Sequence, residues 1–72
     1  MTSIIINGKR KELDVRYATY EDLAFFAFPK AKAGRVWTVT YLHKKGEGSL
    51  TRGERVLLYD DMIINVRDTS GA

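Results

Sequence analysis

The chain of 72 residues contains no cysteine. Disulfides, thiolate zinc sites and a cysteine nucleophile are excluded together, and the absence suits a reducing compartment, so a cytoplasmic protein is expected. Histidine occurs once, at His43. One imidazole builds neither a histidine metal cage nor a Ser-His-Asp relay, each of which needs several converging groups. Catalysis by this chain, a metal and a cofactor are therefore not expected. The longest apolar run falls far short of the roughly 18 residues that a membrane span needs. Met1-Thr2-Ser3 passes straight into a strand-like run rather than a signal peptide, so no membrane partner is expected. Charge of one sign is scarce too: twelve Lys and Arg against nine Asp and Glu leave +3, which permits an acidic partner without demanding one. There is no internal repeat and no low-complexity tract. With 44% apolar residues the chain makes one domain, because two cores would leave each about 35 residues, below the size at which an unstapled chain folds.

What is present reads as strands around one helix. Ile4-Ile5-Ile6 is β-branched throughout and meets Asn7-Gly8, a dipeptide suited to a tight reversal. Residues 11–16 alternate polar and apolar, which predicts a strand with Leu13 and Val15 inward. Thr19 precedes Tyr20-Glu21-Asp22, with carboxylates where the helix dipole favours them. A helix over 20–28 follows, with Tyr20, Leu23, Phe26 and Ala27 on one stripe and Phe25 opposite. Pro29 ends it. Residues 36–42 give the strongest strand signal, with Trp37, Val39 and Tyr41 toward the core. The stretch 44–48 reads as a charged loop, 55–59 as a short strand and 62–67 as a final strand. Residues 68–72 are too small and polar to pack. The division is thus a domain over 1–67 and a tail over 68–72.

The two most continuous β-branched strands, the first and the last, are expected to be central in the sheet. Two hairpins flanking that pair make it parallel, with the helix as the crossover covering one face. The predicted fold class is α+β, a β-grasp with a mixed sheet of four to five strands and one helix packed on one face.

The chain resembles the ubiquitin-like proteins of bacteria, in particular the domains repeated in bacterial multiubiquitin proteins. The resemblance is carried by Ile4-Ile5-Ile6-Asn7-Gly8, Thr19-Tyr20-Glu21-Asp22-Leu23, Trp37-Thr38-Val39-Thr40-Tyr41, and Gly53-Glu54 followed by Asp60-Asp61-Met62-Ile63-Ile64-Asn65-Val66. It implies ATP-dependent activation of the C-terminal carboxylate by a separate activating enzyme, transfer through a conjugating enzyme and ligation to a target protein amine. It also implies a setting like the antiviral defence operons of bacteria. The family's Gly-Gly end is replaced here by Ser70-Gly71-Ala72. Three routes follow: a trimming peptidase removes Ala72 to expose Gly71, Ala72 is itself activated, or the tail is never activated and the domain only binds.

A carboxylate that must thread an enzyme channel needs unhindered neighbours, which Ser70, Gly71 and Ala72 provide. The outward sheet residues are expected to be Ile5, Thr38, Thr40, Leu42, Ile63, Asn65 and Arg67, with Ile5 and Ile63 side by side as an apolar spot with polar and basic edges. Phe25 is a second candidate contact. Asp60-Asp61 reads as a turn, since a hard cation wants more oxygens. His43 is read as a surface residue without chemistry. Lys9, Lys11, Lys30, Lys32, Lys44 and Lys45 offer acceptor amines, and no spacing selects among them. Nucleic acid is not the expected partner, because only Tyr17 and Phe25 offer exposed rings beside the basic residues.

Overall fold

Two hairpins joined through a parallel pair build the main sheet of the computed structural model, which describes residues 1–30 and 35–69. In chain order the elements are β1 (Thr2–Ile6), β2 (Lys9–Leu13), β3 (Tyr17–Thr19), α1 (Tyr20–Ala27), β4 (Trp37–His43), β5 (Gly46–Leu50), β6 (Arg55–Leu57) and β7 (Met62–Asp68). The order across the sheet is β2-β1-β7-β4-β5, and β3 pairs β6 in a separate two-stranded ribbon. β1 and β7 run parallel at the centre, as their β-branched runs predict, and all other pairs are antiparallel. The first hairpin turns at Asn7 (φ 50°) and Gly8 (φ 82°), the positive-φ pair whose twist matches that of the flanking strands.

Alternation sets the core. In β7, Met62, Ile64 and Val66 are buried while Ile63, Asn65 and Arg67 are exposed. Ile4, Ile6, Val39, Met62, Ile64 and, from the helix, Leu23 are the most deeply buried side chains; burying one of this size contributes about 1.5–3 kcal/mol. Trp37 and Tyr41 pack against this core without being fully covered. α1 lies across one face only, in contact with β3, β4 and β7.

The helix starts at a reciprocal cap. The Asp22 amide donates to Thr19 Oγ1 and the Thr19 amide to Asp22 Oδ2, both at 3.1 Å, so two otherwise orphan N–H groups are satisfied. It ends after Ala27, with the Phe28 amide on the Ala24 carbonyl and Pro29 next. The Tyr20 hydroxyl accepts from the Trp37 amide at 2.6 Å and donates to the Trp37 carbonyl at 3.0 Å. A single phenol thereby fixes where β4 begins.

The ribbon is held by a side-chain turn. Glu54 Oε1 accepts from the Thr51 amide (2.7 Å) and the Thr51 hydroxyl (2.8 Å), and the backbone bond first, the hydroxyl second, hold its carboxyl below the usual glutamate value. A depressed carboxylate contributes stability above its unfolded value and loses it as pH falls through the folded value. The stability difference between the wild-type chain and Glu54→Gln should accordingly be constant above the ordinary glutamate range and shrink as the pH drops below it. Denaturant unfolding of both proteins across that range measures this.

Several expectations are corrected. The second strand occupies Lys9–Leu13 rather than 11–16, and Val15 is 49% exposed. β1 supplies only five residues, and Thr2 already pairs with Leu13, so nothing in β1 remains to pair with residue 15. The stretch 44–48 is not a loop: only Lys44 and Lys45 turn, and β5 begins at Gly46. The short strand stops at Leu57 and leaves the main sheet to pair with β3, an element the sequence reading did not include. β7 continues through Asp68, which pairs with Arg35 at 2.6 Å. The Thr69 amide donates to the Val36 carbonyl at 2.9 Å. Asp68 and Thr69 therefore belong to the body, not to the tail assigned to 68–72.

Candidate functional site

The face of the sheet away from α1 gathers the residues that the alternation pointed outward. Ile5 pairs with Ile63 in the parallel centre, and Ile63 pairs with Leu42 across β7 and β4. Three aliphatic side chains thus stand in one row on adjacent strands, about 4.8 Å apart. Ile63 is 40% and Leu42 47% exposed, while Ile5 is half-buried. The same row continues to Arg10 beside Ile5 and to Glu47 beside Leu42, so an apolar bar carries a cation at one end and an anion at the other.

Beside the bar lies a polar shelf. Thr40 sits between Asn65 and Ser49, and Thr38 is paired with Arg67. Asn7, Thr38, Thr40, Asn65 and Arg67 line a shallow hollow of about 440 Å³. Asn7 does more than turn the chain. Its Oδ1 accepts from the Val66 amide at 2.8 Å, and its Nδ2 donates to the Val66 carbonyl at 3.1 Å. The side-chain amide acts as one more rung on the β1–β7 ladder, after the chain itself has turned away. At the edge, Arg10 Nη1 donates to Ser3 Oγ (2.7 Å) and Asp61 Oδ1 (3.0 Å).

The seven expected sheet residues therefore share one surface. Phe25 does not join it. At 61% exposed it lies on the outer side of α1, across the body from the bar. Ser70, Gly71 and Ala72, the expected conjugation tail, lie outside the described residues, as does Lys32. Asp60 and Asp61 form a turn: Asp60 Oδ1 accepts from the Ser3 amide at 2.9 Å, and Asp61 has a φ of 64°. Among the described residues no group of three His, Asp or Glu is placed to hold a metal ion, and no helix is long and apolar enough to cross a membrane. His43 closes β4 half-buried, its Nδ1 accepting from the Lys45 amide at 3.0 Å and its ring 4.5 Å from that of Tyr59. Tyr17 is exposed with the Arg55 guanidinium 4.8 Å over its ring.

No protein-family model, curated protein or solved structure matches the chain.

Asn7, Arg10, Glu47 and Ser49 border the surface but were not read from the sequence as part of it. Asn7 had a signal, since an Asn in a turn next to two central strands carries a side-chain amide within reach of their backbone. Glu47 and Ser49 had none, because their strand is hidden in Gly46-Glu47-Gly48-Ser49. A Cβ on Gly48 would stand 2.6 Å from the Tyr41 hydroxyl, so glycine there lets the Tyr41 side chain lie across β5, which its own propensity disfavours.

Proposed function

We propose that the chain is a bacterial ubiquitin-like protein modifier whose C-terminal carboxylate, on Gly71 after trimming or on Ala72, is activated by partner enzymes and joined to a target amine. The observation that carries this reading is the strand order β2-β1-β7-β4-β5 with a parallel centre and a single helix on one face, an order compatible with a β-grasp. The aliphatic row on the opposite face adds to it, since a modifier processed by several enzymes needs a surface they can hold. In this reading an activating enzyme spends ATP to adenylate the carboxylate, releasing pyrophosphate. An enzyme thiol then displaces AMP, and the target amine displaces the thiol to leave an amide. All three steps belong to the partners, and this chain supplies the carboxylate and the docking face.

The test is intact-mass analysis of the full chain after incubation with ATP and the enzymes encoded beside its gene. Loss of one alanine, or an adduct through Gly71 or Ala72, is expected, and Gly71→Trp should abolish the adduct. An unchanged mass overturns the modifier reading in favour of a domain that binds without being conjugated.

A further inference from the structure

Among the described residues the sheet has two unpaired edges, and they differ in kind. β2 presents Lys9, Arg10, Lys11 and Glu12, all exposed. β5 presents Gly46, Glu47, Gly48 and Ser49, with no lysine and no proline. Edge strands that carry neither device are open to pairing with another strand. Three cations to one anion oppose the pairing of β2 with a second β2 more than its pairing with β5.

Strand direction permits that union. β1 and β7 are parallel, β2 opposes β1, β4 opposes β7, and β5 opposes β4. It follows that β5 and β2 run in opposite directions, and a second copy continuing the same sheet brings its β2 antiparallel to the first copy's β5. The row across the open face reads Arg10, Ile5, Ile63, Leu42, Glu47. Continued into the next copy, it sets Glu47 beside Arg10. Sliding by two residues one way opposes Glu47 to Glu12, like charges face to face at a cost, and sliding the other way carries Glu47 past Arg10 to Gly8, where it meets no cation. On the other face Lys11 meets Gly46, where space is open within 4 Å of an added Cβ. Arg10 spends only Nη1 on Ser3 and Asp61, which leaves its other nitrogens for Glu47.

We infer that the partner of the β5 edge is the β2 edge of a second copy of this chain, joined head to tail so that the sheet runs on from molecule to molecule. Such a contact is heterologous and does not close on itself by symmetry. It is independent of the tail chemistry and of the sheet-face docking proposed above.

Sedimentation velocity of the full chain, from micromolar to millimolar concentration in low and in molar salt, tests the inference. In low salt the weight-average mass should climb past two chains with concentration, and it should fall back when salt screens the pairs. Glu47→Arg and Arg10→Glu should each weaken association roughly tenfold. An equimolar mixture of the two variants should associate again, because Arg at 47 then meets Glu at 10. Circular dichroism melts establish that both variants fold. A wild-type chain that stays monomeric throughout overturns the inference. So does a dimer that never grows, which would mean that two copies of one edge pair instead, or a mixture that behaves like its separate components.

Discussion

Replacing Asn7 by alanine should lower the unfolding free energy by about 3 kcal/mol, a large share of the roughly 4–11 kcal/mol expected of a domain this size. Two bonds to the Val66 backbone are lost, each contributing about 1 kcal/mol net, and the amide and carbonyl of buried Val66 are left unpaired. Alanine must also hold φ near 50°, which costs about 1 kcal/mol for a residue with a Cβ and no local hydrogen bond to compensate. Asn7→Gly removes the bonds but not the backbone freedom, so it should cost about 2 kcal/mol, and the gap between the two variants isolates the backbone component. Denaturant titration of the three proteins measures these values. An Asn7→Ala loss of less than about 0.5 kcal/mol would show that the two Asn7 bonds contribute nothing.

If the chain is the modifier proposed above, exchanging Ile63 for glutamate should cut its capture by an activating enzyme at least about 30-fold, the loss expected when a central apolar anchor is removed and a charge put in its place. Ile63 is 40% exposed, so the fold should lose no more than about 1 kcal/mol. Thr38→Ala, on the polar shelf, should cost only a few-fold, and Phe25→Ala, on the far side of the body, nothing. The measurement is the rate of ATP-dependent transfer of each variant to the activating enzyme, with unfolding curves alongside. If Phe25→Ala disables transfer while Ile63→Glu does not, the partner sits on the helix and the sheet-face reading fails.

The parts of this fold legible in the sequence were those whose residues carry their own periodicity. Ile4-Ile5-Ile6 and Ile63-Ile64 announce central strands because β-branched side chains on both faces suit a strand flanked on each side, and their parallel pairing follows from the hairpins around them. The Thr19 cap was legible because its chemistry is local. β5 was not, since Gly46-Glu47-Gly48-Ser49-Leu50 has little tendency to extend unless β4 holds it there, and only Leu50, buried, hints at alternation. β3, three residues long, is too short to show a period. Val15 misled because an alternating pattern does not reveal where the partner strand runs out. The candidate surface divides in the same way. The Ile5–Ile63–Leu42 row follows from parity within strands, whereas Asn7, Arg10, Glu47 and Ser49 depend on register between strands, which no single segment records.

Two hydrogen bonds from Thr69, one from its amide and one from its hydroxyl, to the Val36 carbonyl act as a short leash. With the chain fastened at Thr69, two further residues of any kind add at most about 7 Å of reach. A catalyst acting on a carboxylate there would have to press its active site nearly flush against the end of the sheet. One with a deep, narrow entrance would first have to peel both bonds away, so in the proposed modifier reading their combined strength would help decide which enzymes can reach the carboxylate.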